Sequence, residues 1–263
     1  DVSGLTFGTN GFYLDFENAS SLGADVSGNS NNFTVNNLTS VDQSTDTCTN
    51  NFNVFMSHST SSYTTLSNGG LTHYGNSSGD SGNSLASFGV TTGKWYFEVK
   101  LTTVNSGYPV YAWLKTTDSE YGRQCENGAN GDPLPRGFGF SASNTYDGSS
   151  STANVSFSQG DIIGVAIDLD NGALYVSQNG TFINSSDPTS GSSKTNAQIT
   201  FTVGDTYSLF CGSYNGSQAD FNFGSPPYSI SSGNSDGSGF GNFEYSVPSG
   251  YYSLCTKNLA DHG

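Results

Sequence analysis

Between Gly160 and Gly180 apolar and polar residues alternate with a period of two, which puts Ile163, Val165, Ile167 and Leu169 on one face of an extended strand. Asn171-Gly172 follows at once, and both residue types tolerate the positive φ that a two-residue type I′ turn needs. Folding the chain there sets Leu169 opposite Leu174 and Ile167 opposite Val176, so the apolar face continues across a β-hairpin. A second turn signal, Asn179-Gly180, closes the unit.

The same period recurs elsewhere. In residues 94–102 it turns Trp95, Phe97, Val99 and Leu101 toward a core and leaves Tyr96, Glu98 and Lys100 outside. Pro109–Lys115, with Tyr111 and Trp113, Gly137–Ser141, Tyr207–Tyr214 and Ala219–Gly224 read as further strands. Near the start, Phe12, Leu14 and Phe16 share one strand face, and Phe33–Val35 forms a short strand. Residues 39–93 are less regular and predict a long arm with two or three short strands. Polar loops cover 116–137 and 184–198, and Ser229–Phe243 is a Gly/Ser-rich excursion. Short alternating strands joined by tight turns predict an all-β, two-sheet antiparallel β-sandwich.

Composition narrows the partners. The 263 residues suit one large β domain, or one domain with an extension. A net charge of -15 with seven Lys and Arg makes nucleic acid and anionic membrane surfaces poor partners. No apolar run approaches the ~20 residues of a spanning helix, so no membrane insertion is expected. A chain that begins at Asp1 reads as a processed product or an excerpt. Cys48, Cys125, Cys211 and Cys255 are widely spaced with no Cys-x-x-Cys, so zinc is not expected. Cys211 and Cys255 lie in apolar contexts and read as buried free thiols, with one disulfide left open.

Several constellations invite chemistry. Asp168-x-Asp170-Asn171-Gly172 hints at a calcium loop, but no distant Glu completes the ligand set, and the hairpin accounts for every residue. Asp168 and Asp170 share a strand face ~7 Å apart at Cα, a pair that could serve glycoside hydrolysis; solvated turn carboxylates are the alternative. Gly75–Gly79 and Gly233–Gly237 match the nucleophile-elbow pattern without the strand and helix that the elbow requires. His58, His73 and His262 are isolated. No catalytic residue, metal ligand or cofactor is therefore assigned. Eight Asn-x-Ser/Thr sites arise in a composition rich in those residues. Trp113, Asp118, Tyr121, Arg123 and Tyr146 lie in or beside loops expected at one end of the sandwich, and form the candidate binding set. Trp113 also suits the core, and Arg123 stands out because positive charge is scarce.

These residues also carry a resemblance. Gly160-Asp161-x-Ile163-Gly164-x-x-x-Asp168, then Gly172 and Asn179-Gly180, resembles the signature hairpin of SPRY domains. Gly93–Val99 resembles that family's Gly-x-x-Tyr-x-Glu-Val strand, Gly137–Ser141 its Gly-Tyr-x-Tyr strand, and Asp220–Gly224 with Pro226-Pro227-Tyr228 its ending. The opening, with Asp25-Val26-Ser27-Gly28-Asn29 and Asn32–Val35, and the closing Pro248–Leu259 are similar to the flanks of SPRY-bearing phage structural proteins. The resemblance implies a concanavalin/SPRY-type, jelly-roll-like sandwich over 93–228. Residues 1–92 would be N-terminal strands and an arm packing on or joining it, and 229–263 a closing segment of the same domain. It further implies a non-enzymatic virion protein at the virion surface or otherwise extracellular: a homo-oligomeric phage tail-fibre, spike or capsid-appendage subunit. Such a subunit would bind a host-surface glycan or protein, or other virion subunits, through its loops. A glycosylated extracellular carbohydrate-binding or filament-forming protein is an alternative. A polysaccharide-degrading enzyme, which predicts lost hydrolysis on Asp168→Asn, is another.

Overall fold

The computed structural model describes residues 2, 4–39, 46–47, 49–60, 62–76, 82–106, 109–115, 137–147, 151–152 and 155–263. The chain divides into two compact units, Asp1–Thr45 and Asp46–Gly263.

The larger unit contains the sandwich. Its strands in chain order are β1 (Phe55–Thr60), β2 (Thr64–Ser67), β3 (Thr72–Gly75), β4 (Gly82–Val90), β5 (Lys94–Thr103), β6 (Val110–Lys115), β7 (Gly137–Phe140) and β8 (Thr145–Tyr146). They continue with β9 (Ser151–Thr152), β10 (Ile162–Asp168), β11 (Ala173–Gln178), β12 (Thr181–Phe182), β13 (Ile199–Thr200), β14 (Tyr207–Ser213), β15 (Gln218–Asn222) and β16 (Tyr252–Ser253). Helix α1 (Thr256–His262) follows. Among the described residues one sheet runs β1-β4-β14-β6-β7-β8-β9 and the other β12-β11-β10-β5-β15-β3-β2, with β13 added to β11 and β16 to β5. Pairing is antiparallel throughout except for β16, which lies parallel to β5 at Trp95 and Tyr96. The expected all-β antiparallel sandwich is the fold observed. Residues 55–90, expected as an arm, supply four strands shared between the two sheets.

The core sits between the sheets. Trp95, Phe97, Val99 and Leu101 of β5 face inward with Ile163, Val165 and Ile167 of β10, as the period-two pattern predicts, and meet Trp113, Phe221 and Phe223. The hairpin register differs from expectation. Ile167 pairs with Leu174 and Val165 with Val176, leaving Leu169–Gly172 as a four-residue connection. The cause is Asp168: its carboxylate accepts hydrogen bonds from the Asp170 and Asn171 amides and from the Asn171 side chain. Its own carbonyl accepts from the Gly172 amide. The shift is an even number of residues, so the apolar face is preserved. The two-residue turn occurs at the second signal instead, where Asn179 and Gly180 take φ of 49° and 82° between the Gln178–Thr181 pair.

A second core lies on the outer face of the β5 sheet. Phe243 and Tyr251, from the segment 229–255, pack over Tyr96, Ala166, Ala173 and Tyr175. This strap buries Tyr96 and Glu98, which alternation alone places in solvent.

The smaller unit has no strand among its described residues. Phe16 adopts φ of 58°, which interrupts any extended run through Phe12–Phe16. Side chains organise the backbone there. Asp25 accepts from the amides of Tyr13, Ser27 and Asn31, and the Asn29 and Asn31 side chains donate to the Gly11 carbonyl. The predicted strands at 12–16 and 33–35 lose to these local side chain–backbone bonds.

Candidate functional site

The hairpin carboxylates are structural. Asp168 is fully buried and pairs with Lys94 at 3.0 Å, so both of its oxygens are occupied by the turn and the ammonium. Asp170 accepts from the Gly93 amide and ties the turn to the start of β5. Lys94 lies 5.8 Å from the Tyr251 ring, which adds the strap to the same cluster. Asp168 is therefore not a solvated turn carboxylate, whereas Asp170 is exposed at the turn, as that reading expects.

Two further buried carboxylates hold the strap. Glu98 accepts from the amides of Glu244 and Tyr245, from Asn222 and from the Tyr96 hydroxyl. Burial raises its pKa, and those donors offset only part of the rise. Asp236 accepts from the Ser253 amide and hydroxyl, from Asn258 and from the Ser238 and Phe240 amides. The second Gly-x-Ser-x-Gly run is thus built around a buried carboxylate that fastens β16 and α1. In the first, Gly75–Gly79, residues 77–79 lie outside the described residues.

His73, read as isolated, has a partner that sequence separation hides: its Nδ1 lies 2.9 Å from the Ser213 hydroxyl, 140 residues away. Both are fully buried, and burial pushes His73 down to about 3. A neutral imidazole sealed from solvent is a core group, not a base for an external substrate. Its Nε2 has no hydrogen-bond partner. On the next inner row Ser84, Cys211 and Tyr111 stand opposite one another across three strands. Burial raises the Cys211 thiol and, before the nearby Cys211 and Asp220, the Tyr111 phenol. Cys211 and Cys255 are free and buried, as their apolar contexts suggest. No group of three metal-ligating side chains occurs among the described residues.

Of the binding set, Trp113 is buried in the sandwich with its ring 6.1 Å from that of Phe97. Tyr146 is half-buried on β8, paired with Gly139. Asp118, Tyr121 and Arg123 lie outside the described residues. Of the five, the described residues therefore place Trp113 and Tyr146. In the loop 184–198 Ser186 and Pro188 are buried and most other residues are exposed or half-buried; Tyr251 donates to the Pro188 carbonyl, and Asp187 caps the Pro188–Ser193 turn through the Thr189 amide.

No protein-family model matches the chain, and no curated protein matches it. Among solved structures it is similar to the SPRY domain of human HERC1, at 19% identity and a TM-score of 0.46, over 64% of this chain and 96% of that one.

The surface that pattern reading missed is in the smaller unit. Leu5, Phe12, Phe16, Val26, Phe33 and Leu38 are 46–62% exposed there, whereas Leu22 is the buried large apolar residue among those described. Phe12 and Phe33 meet edge to face with centroids 4.7 Å apart. The signal was present as an apolar spacing without the alternation-compatible backbone to bury it.

Proposed function

We propose that this chain is a non-enzymatic virion protein, a phage tail-fibre, spike or capsid-appendage subunit that assembles with other copies or other virion subunits and binds a host-surface glycan or protein. The observation that carries this reading is the exposed apolar surface of the N-terminal unit. Large contiguous apolar surface is rare on monomers and marks contact with another molecule. A unit of this size whose described residues bury one large apolar side chain, Leu22, gains stability when a partner covers it. The phage-like flanks of the sequence support the setting, and the use of Asp168, Asp170 and Asp236 as hydrogen-bond anchors supports a binding rather than a hydrolytic role.

The test is assembly of the full chain, read by light scattering and by capture on virions and host envelopes. Assembly or capture is expected, and the double change Phe12→Ser with Phe33→Ser should weaken it at least about tenfold while the far-ultraviolet spectrum of the sandwich stays the same. A chain that remains monomeric and binds neither particle nor envelope would rule the reading out.

A further inference from the structure

The strap packs on the outer face of the β5 sheet over Tyr96, Ala166, Ala173 and Tyr175, and Tyr228, just before it, donates to Glu98. Beyond it, Thr72 of β3, Asp220 of β15 and Lys100 of β5 stand in one cross-strand row, and Tyr74 and Gln218 stand in the next. Asp220 and Lys100 are direct neighbours across the strands, where opposite charges normally pair. Here they form no ion pair: among the described residues that interaction is Lys94 with Asp168. Instead, Asp220 is held by the hydroxyls of Thr72 at 2.6 Å and Thr102 at 3.2 Å. Lys100 is drawn to the Tyr228 ring, 5.1 Å from its centroid. A carboxylate oxygen with one donor still accepts another, and an ammonium over a ring still has protons to give. Donor and acceptor are thus oriented separately, with their capacity unfilled, beside a half-buried aromatic ring.

We infer that this face binds a neutral oligosaccharide, with one sugar hydroxyl accepting from Lys100 while it donates to Asp220, and with Gln218 and Tyr74 serving the adjoining ring. A hydroxyl performs both roles at once, which neither an ionised carboxylate nor an ammonium does. The charges select against acidic glycans: Lys100 is flanked by Asp220 and by Glu244, whose carboxylate is taken up by Ser231, in a chain of net charge -15. The two rows cross three strands, β3, β15 and β5, about 10 Å at ~4.8 Å per step, the span of a disaccharide rather than a single sugar, with Thr72 itself buried at the β3 end. The Tyr228 and Tyr74 rings offer flat, amphipathic ledges at the two sides.

The inference rests on the binding half of the proposed function. Its test uses the full chain on an array of neutral, sialylated and sulfated oligosaccharides, with saturation-transfer NMR on lactose, maltose and chitobiose. Binding to a neutral glycan is expected, falling about tenfold or more in Lys100→Met and in Gln218→Ala and unchanged in Lys257→Met, a control on α1. All three are surface changes, and unaltered melting temperatures show that the fold is kept. Neutral binding that survives Lys100→Met, binding of acidic glycans only, or no saccharide bound at all would each overturn the site. In the last case, continued assembly or virion capture would leave the proposed function standing. Blocking of host-envelope capture by the neutral hit separates a cell-surface source from a free sugar.

Discussion

His73 shows how far one side chain can tie this fold to pH. Burial alone lowers it to about 3 from 6.5. Below pH 6.5 an unfolded chain takes up a proton that the folded chain refuses, so stability declines on acidification by up to ~1.4 kcal/mol per pH unit until about pH 3. Glu98 works in the opposite sense: its pKa is raised by burial, so the folded chain holds that proton more tightly and stability gains as pH falls through its titration. His73→Gln should therefore flatten the acid limb of stability between pH 6 and 4, read as urea midpoint against pH, even if it lowers the midpoint at pH 7. An unchanged slope would show that other groups set it. Residue chemistry of this kind was only partly legible. The period-two pattern turned Lys100 outward correctly, but its neighbour Asp220 is supplied by a strand 120 residues on, and no local spacing announces the His73–Ser213 contact.

At the scale of elements, faces were readable and registers were not. The inward sets of β5 and β10 follow from alternation, because burying one face rewards a period of two whatever the turn. The turn after β10 follows from Asp168, whose carboxylate outcompetes the Asn-Gly preference by satisfying three donors at once. The smaller unit was misread as strands for the same reason, with Asp25 in that role. Desolvation would raise its carboxyl, but the amides of Tyr13, Ser27 and Asn31 and the Ser27 hydroxyl outweigh it and hold the group well below the usual range. The strap was the element least visible, since a Gly/Ser-rich run carries its two anchors, Phe243 and Tyr251, eight residues apart. Phe243→Ala should cost about 3–5 kcal/mol as a buried aromatic truncation. Limited proteolysis would detect the loss as new cleavage between residues 229 and 250. Cleavage first within β10–β11 would mean that the strap does not depend on this ring.

For the whole molecule, charge and apolar surface act against each other. Residues 1–45 carry five carboxylates and no Lys or Arg, yet most of the exposed large apolar side chains fall there. If apolar contact drives assembly of like-charged copies, salt should promote it. The screening length falls from ~10 Å at 0.1 M to ~3 Å at 1 M, which removes repulsion and leaves burial intact. Sedimentation of the full chain between 0.05 and 0.5 M NaCl should show larger species at the higher salt, while an assembly held by ion pairs would dissociate. The strap has a kinetic consequence as well. The strand at the centre of its sheet, β5, completes its second core only when residues 243–253 arrive, some 150 positions later in synthesis. Until then Tyr96, Ala166 and Tyr175 face the solvent of the cell, and such long-range closure is slow. A nascent chain therefore emerges from the ribosome with a sticky, half-dressed sheet, and chaperone dependence during that interval belongs to the topology itself.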